Sequence, residues 1–295
     1  MQVLADQFLD HLMFERGLSP HTRAAYATDL RAFFAELARC EVRGLYEVTR
    51  EHIYRYLLDS RERGLRSSTV SRRLVSIKVF FRYLHREGLL AQNVADAIET
   101  PRRSLGLPDV LSPKEVERLL NRPDTARPIG VRDRALLELL YASGLRVSEL
   151  AALTVDDLYF DSNALRCMGK GRKERIVPFG ESARIWLRRY LDEARPVFAG
   201  SSDTRRLFLA RGARPMDRRW IWRRIQHTAR AAGILKNVHP HTLRHTFATH
   251  LLAGEAPLRV IQEMLGHADI ATTQIYTHVD SGRLKAIHEK FHPRA

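Results

Sequence analysis

The stretch that most restricts the fold is residues 101–111, PRRSLGLPDVL. It holds two prolines and a glycine, shows no helical period, and separates two stretches that do. Proline lacks an amide donor and disfavours helix in the residue before it, so no helix runs through this segment. It reads as a linker. The next residues, Ser112-Pro113-Lys114-Glu115, have the spacing of a capping box and open a new folded region. A chain of 295 residues has room for about two domains. The break predicts an N-terminal domain over 1–100, a linker over 101–111 and a C-terminal domain over 112–295.

The first hundred residues read as helices. Ser19-Pro20 is an N-cap with proline at the first helical position, ahead of Tyr26, Leu30, Phe33, Phe34 and Leu37. Thr49 caps a second run with Ile53, Tyr56 and Leu57. Ser67 or Ser68 caps a third, with Val70, Leu74, Ile77, Phe80, Phe81 and Leu84 on one stripe, closed by Gly88. A short fourth helix is expected at NVADAIET (93–100). The aromatic stripe is read as core. In the second region, VRDRALLELLYASG is a helix ended by Gly144. VDDLYFDSNALRCMGKGRKERIVPFG gives three short strands, with turns at Asp161-Ser162-Asn163 and Gly169–Gly171. Helices are expected at roughly 181–194, 217–232, 241–253, 257–265, 269–277 and 282–290. The fold class is mainly α, with an all-helical first domain and an α+β second domain holding a small three-stranded antiparallel sheet.

Charge narrows the partner. Forty-nine Lys and Arg against 34 Asp and Glu leave a net +15, and only seven of the 49 are Lys. Such an excess points to a polyanion, most often nucleic acid, and arginine suits two-pronged phosphate contact. No apolar run approaches the ~20 residues that span a bilayer. The N-terminus lacks the basic start and apolar core of a secretion signal. Cys40 and Cys167 match no metal spacing and read as reduced thiols. The expected location is the cytoplasm, without a membrane partner.

Four stretches carry chemistry. HPHTLRHTFATHL (239–251) places His241, Arg244 and His245 at i, i+3 and i+4 of one helix face. An HxxxH pair can chelate zinc, but Thr242 stands where a zinc hydrolase needs Glu, and no third ligand has plausible spacing. Imidazole beside guanidinium suits an anion instead; a histidine-rich structural helix is the other reading. In ASGLRVSEL (142–150), Arg146 sits at a helix–helix junction, where it reaches a cleft or pairs with Glu149 on the surface. In CMGKGRKERIVP (167–178), Lys170 lies between two glycines at a hairpin tip, as a proton donor or a solvated turn. In LGHADIATTQIYTHV (265–279), His267 follows a helix-ending glycine and Tyr276 is a nucleophile if cations stabilise its phenolate, or simply packs. Two Arg, one Lys, two His and one Tyr form a set suited to phosphoryl transfer: cations hold non-bridging oxygens, Tyr attacks phosphorus, and an acid protonates the leaving oxygen.

GLRVSEL, GKGRKER, HPHTLRHTFATHLL and LGHADIATTQIYTHV, in this order and spacing, resemble the tyrosine recombinase (phage-integrase-type) family, and within it the Xer recombinases. The likeness runs nearly end to end, from SPHTRAAYATDLRAFF to the C-terminal FHPRA, which is nearer the D-type than the C-type. The Cys-Met before Gly169 departs from the aliphatic residue usual there; no catalytic position departs.

The resemblance implies a SAM-like core-DNA-binding domain and a catalytic domain closing as a C-shaped clamp on DNA. It implies that Arg146 and Arg244 hold the scissile phosphate and that Lys170 protonates the leaving 5′ oxygen. His241 bonds the phosphate or takes the tyrosine proton, His267 adds a phosphate hydrogen bond, and Tyr276 forms a 3′-phosphotyrosine. No cofactor, ATP or divalent metal enters. Arg23, Arg72, Arg73 and Lys173 are candidate DNA contacts, mostly to phosphates. His245 and His250 fall outside the matched set. The implied partners are double-stranded DNA with a dif-like site, a second Xer recombinase in a cyclic heterotetramer or homotetramer, and a DNA translocase of the FtsK type. The last helix, with Leu284, Ile287 and Phe291, is expected to dock on a neighbouring protomer; packing on its own domain is the other reading. The expected activity is site-specific recombination that resolves chromosome dimers in a bacterial nucleoid. A mobile-element integrase has the same chemistry but is expected to carry an arm-binding domain, for which there is no room ahead of residue 10. A DNA-binding or architectural protein without catalysis, and a metallohydrolase on His241 and His245, are the alternatives of other classes.

Overall fold

The computed structural model describes residues 1–14, 18–98, 110–169, 174–266 and 278–294. The chain divides into two compact units, Met1–Ser104 and Leu105–Ala295. The expected linker lies mostly outside the described residues.

Among the described residues the first unit holds four α-helices, α1 (Gln2–Phe14), α2 (Pro20–Arg39), α3 (Arg50–Glu62) and α4 (Ser67–Arg86). Ser19 caps α2, its hydroxyl accepting the Thr22 amide at 3.2 Å, with Pro20 at the first position. Helix α4 starts at Ser67 itself; the cap position belongs to Arg66, whose side chain makes no capping bond. The aromatic stripe is the core: Phe8, Phe33, Phe80 and Phe81 are fully buried, with Phe8 and Phe80 ring centroids 5.3 Å apart. The expected short helix at 93–100 does not form; residues 94–97 are turns. The Asn93 side-chain oxygen takes the Ala95 amide at 3.2 Å, as an N-cap does, and the Asp96 amide bonds the Asn93 carbonyl at 3.2 Å, but the segment is too short to propagate beyond a turn. Ala95 and Ile98 still reach the core.

The second unit is built round a buried helix. Helix α5 (Pro113–Asn121) opens with the expected capping box: the Glu115 amide donates to Ser112 Oγ at 3.3 Å, and the Ser112 amide to Glu115 Oε2 at 2.8 Å. Helix α6 (Pro128–Ser143) is buried at every residue from Gly130 to Ser143. Its charged groups are matched inside: Arg134 Nε donates to Glu138 at 2.9 Å, and Arg294 Nη2 reaches the same carboxylate at 2.8 Å. Gly144 ends α6 with φ +59°. A Cβ there would come within 2.4 Å of the Phe247 ring, so the position needs glycine for both conformation and space.

After α7 (Val147–Ala152), strands β1 (Leu158–Tyr159), β2 (Ala164–Met168) and β3 (Glu174–Pro178) form an antiparallel sheet in the order β1-β2-β3. Leu158 faces Leu165, and Met168 faces Glu174 at the second hairpin. Then come α8 (Gly180–Arg189), a π turn, α9 (Arg195–Ala199), α10 (Arg218–Ala231), α11 (Pro240–Ala253), α12 (Leu258–Leu265) and α13 (His278–Phe291). The helix expected at 269–277 lies outside the described residues. Helix α13 packs on its own unit: Leu284 is buried beside Phe247 and Met264, with Ile287 and Phe291 against the same cluster, and His288 Nε2 bonds the Ala142 carbonyl at 2.7 Å. Leu284, Ile287 and Phe291, the anchors expected to dock on a neighbouring protomer, here pack against the apolar sides of α11 and α12. Among the described residues no helix is long and apolar enough to cross a membrane. Cys40 and Cys167 are both free thiols.

Candidate active site

Two helix ends and one helix start meet in the second unit. Helix α6 stops at Gly144, α7 begins after Arg146, and α12 stops at Leu265. Arg146 and Arg244 are placed by these ends. Arg146 Nη2 donates to the Gly266 carbonyl at 3.2 Å. Arg244, on the second turn of α11, donates through Nη1 to the Gly144 carbonyl at 2.7 Å and through Nη2 to the Leu265 carbonyl at 2.6 Å. These acceptors lie at helix C-termini, the negative ends of two macrodipoles, which suits a cation. Burial first, and the charge of Arg146 next, pull the Arg244 guanidinium down to about 10; it stays cationic at neutral pH.

Glu149 organises this junction. Its Oε2 accepts the Arg146 amide at 2.7 Å and its Oε1 accepts Arg146 Nη1 at 2.9 Å. Arg175, from β3, grips the same carboxylate with a two-pronged contact, 2.9 Å on each side. Burial alone would raise this carboxyl. The hydrogen bonds and charge of Arg175, then those of Arg146, outweigh burial and hold it below its ordinary value. The Arg146–Glu149 contact expected on the surface is therefore mostly inside: Glu149 is 5 % exposed. Arg146, Arg175 and Arg244 against one carboxylate leave two positive charges uncompensated here, and Arg146 is open to solvent, its side chain 33 % exposed against 6 % for Arg175. That is an anion site by charge and by its donors.

His241 stands exposed on the first turn of α11, three residues before Arg244. His239 caps that helix, its Nδ1 accepting the Thr242 amide at 3.2 Å, which leaves the ring proton on Nε2. The sequence reading passed over this cap, although the xHPH pattern ahead of a helix was its signal. His245 is half-buried. His250 serves packing and hydrogen bonding, with its Nδ1 2.8 Å from Tyr141 Oη. Among the described residues no group of three or more His, Cys, Asp or Glu is arranged to hold a metal ion.

Lys170, Lys173, His267 and Tyr276 lie outside the described residues; their described neighbours bracket them. The pair Met168–Glu174 closes the sheet on either side of 170 and 173. Gly266, with φ +66°, caps α12 directly before 267, and a Cβ on it would stand 3.2 Å from the Arg175 guanidinium. The structure thus brings together Arg146, Arg244 and the helix turn of His241. Arg175 is the residue that sequence reasoning missed; Glu149 was read as a partner of Arg146, but on the surface.

The candidate DNA arginines of the first unit have internal partners. Arg23 bonds Asp10 at 3.0 Å. Arg72 bonds buried Asp29 at 2.6 Å and the Ala25 carbonyl at 3.1 Å. Arg73 donates to Ser60 Oγ at 2.7 Å and lies over the Tyr56 ring. Each holds helices together in its own unit, which sequence alone did not reveal.

Comparison with known proteins agrees with this geometry. The model of the Phage integrase family matches residues 109–283, and that of the Phage integrase, N-terminal SAM-like domain, matches 5–88. Tyrosine recombinase XerD of Pseudomonas putida is 46 % identical over 291 residues, 99 % of this chain and 97 % of that protein. Two solved structures share the fold. XerH site-specific recombinase bound to a palindromic difH substrate, in a post-cleavage complex, has a TM-score of 0.71 at 22 % identity, covering 96 % of this chain and 83 % of that one. A lambda integrase tetramer bound to a Holliday junction has a TM-score of 0.69 at 17 % identity, covering 93 % and 80 %. The chain belongs to the phage integrase family, the tyrosine site-specific recombinases, enzymes that cut and rejoin DNA strands.

Proposed function

We propose that this chain recombines DNA through Tyr276, with Arg146 and Arg244 as the clamp on the scissile phosphate. The observation that carries this reading is the convergence of those two arginines, with charge in excess, on the turn directly before residue 267. The tyrosine oxygen attacks phosphorus and gives its proton to His241. The bond from phosphorus to the 5′ oxygen breaks, and Lys170 supplies the proton that oxygen takes up. His267 adds a hydrogen bond to the phosphate. The product is a 3′-phosphotyrosine and a free 5′ hydroxyl, and the reverse attack by a 5′ hydroxyl from the other duplex reseals the strand. The phosphodiester energy is kept in the covalent bond, so positioning and electrostatics supply the catalysis.

Residues 1–100 would grip the core site, 101–111 would link, and 112–295 would cut. The natural substrate would be a dif-like site in the nucleoid, recombined to resolve chromosome dimers. The likeness to XerD and the difH complex of XerH support this reading. A tetramer on two duplexes, with a second Xer recombinase and an FtsK-type activator, completes it; the lambda integrase tetramer on a junction supports the assembly. Lys173 remains a candidate phosphate contact, whereas Arg23, Arg72 and Arg73 would contact DNA only with what their internal bonds leave open.

The test is covalent trapping on a nicked duplex carrying a dif-like core site. Wild type should give a slow-migrating band on a denaturing gel. Tyr276→Phe should bind the same duplex and give no such band; an adduct from the variant would move the nucleophile elsewhere.

A further inference from the structure

We infer that Arg175 is a positioning residue for the phosphate clamp: it fixes Arg146 through Glu149 and the α12 exit through the Met264 carbonyl. The inference rests on the function proposed above and names a residue that function does not use.

Arg175 is 6 % exposed, so it does not meet the substrate. Its guanidinium bonds groups that hold the clamp. Nη1 and Nη2 take the two oxygens of Glu149, each at 2.9 Å. Nε donates to the Met264 carbonyl at 3.0 Å. Its guanidinium lies against Gly266, whose carbonyl Arg146 holds at 3.2 Å. Glu149 in turn receives both the backbone amide and the guanidinium of Arg146. One buried fork therefore joins three elements: β3, which follows the hairpin of Lys170; α7, whose cap is Arg146; and α12, whose end precedes His267. A planar guanidinium makes these three bonds at once, and an ammonium cannot.

The chemistry predicts what losing it does. With Arg175 gone, Glu149 keeps only Arg146 as a cation partner. It then draws that guanidinium inward, away from the phosphate. A clamp misplaced by ~1 Å costs on the order of 100-fold in rate. The loss should concern charge neutralisation at the non-bridging oxygens. A substrate with a methylphosphonate at the cleavage position, which carries no such charge, should need the clamp less.

The experiment uses the full chain and nicked duplexes on which wild type traps, with either a phosphodiester or a methylphosphonate at the cleavage position. Arg175→Ala and Arg175→Lys are compared with wild type and with Arg146→Ala. DNA affinity should stay within about 3-fold of wild type, while cleavage of the phosphodiester falls about 100-fold in Arg175→Ala and about 10-fold in Arg175→Lys. On the methylphosphonate, the deficit relative to wild type should shrink to within about 3-fold, as it should for Arg146→Ala. If Arg175→Ala does not fold, Arg175→Lys carries the comparison, because it keeps the charge and loses only the fork. Equal deficits on both substrates, or no deficit on either, overturn the inference while wild type still cleaves. A wild type that traps no core site overturns the proposed function first, and this inference with it.

Discussion

Asp29 in the first unit and Glu149 in the second are both buried carboxylates in contact with arginine, at 1 % and 5 % exposure. They shift in opposite directions. Burial raises the Asp29 carboxyl above its ordinary value, and Arg72 and Arg73 recover only part of that. Burial acts on Glu149 too, but two hydrogen-bonded arginines and a backbone amide outweigh it. The difference lies in the donors. Asp29 has the single Nη1 of Arg72 at 2.6 Å among its ion pairs; Glu149 has a fork and two further bonds. A buried carboxylate anchors a charged site only when donors surround it. Asp29 ties helices together, and Glu149 sets the geometry of an anion clamp.

The strongest way to break this comparison is Glu149→Gln. Gln accepts with one oxygen and turns the other position into an amide NH2 donor, so Arg146 and Arg175 lose their common partner. Trapping should slow about 100-fold, the scale expected for a misplaced catalytic group, with DNA binding maintained. A variant that cleaves like wild type would show that Glu149 does no more than Asp29.

Next in size is Arg72→Ala. Removing one partner of a buried pair costs about 3–5 kcal/mol. Arg72 is itself 40 % exposed, so about 2 kcal/mol is expected once solvent screening is allowed for. Asp29→Asn should cost less than about 1 kcal/mol, because it removes a charge whose burial was only partly compensated. Trp186, Trp220 and Trp222 all lie in the second unit. Urea melts followed by far-ultraviolet circular dichroism should therefore shift for Arg72→Ala while the tryptophan fluorescence midpoint holds. Equal costs for the two variants would mean that the pair, not the arginine alone, carries the stability.

How much was legible follows the range of the interactions. Caps are local, so Ser19 and Ser112 announced α2 and α5. Arg146 and Arg244 were legible as motif residues, and they do converge. Of the partners that hold them, Glu149 was legible as a local pair of Arg146, and Arg175 was not. Glu149 meets Arg175 across 26 residues and Asp29 meets Arg72 across 43, and no periodicity encodes such pairings. Arg175 alternates inward along β3, where a strand pattern expects an apolar residue, so the pattern hid it. The burial of the charges in α6 was illegible for the same reason: VRDRALLELLYASG reads only as a helix ended by Gly144, and its acids meet Arg294 and Arg224 from far along the chain. At 93–98 a helical composition gave only turns, because the segment is too short to nucleate a helix. The helix stripe of Leu284, Ile287 and Phe291 was legible, but a stripe does not name what it covers.

The smallest expected effect sharpens the comparison through pH. Because the Glu149 carboxyl is held below its ordinary value of 4.5, the folded second unit binds fewer protons than the unfolded one just below that pH. Its contribution to stability is complete above the ordinary value and is lost as pH falls through the depressed one. Asp29 has the opposite sign: raised above 3.8, it contributes below that value and loses the contribution as pH rises through its elevated one. Acidification should therefore weaken the second unit through Glu149 and relieve the first through Asp29. In Glu149→Gln, the fall in the tryptophan-detected urea midpoint as pH drops below about 5 should be shallower than in wild type. In Asp29→Asn, the fall detected by circular dichroism should be slightly steeper, since the one group that opposes it is gone. Parallel slopes for wild type and Glu149→Gln would mean that the arginines around Glu149 compensate its burial no better than Arg72 does for Asp29.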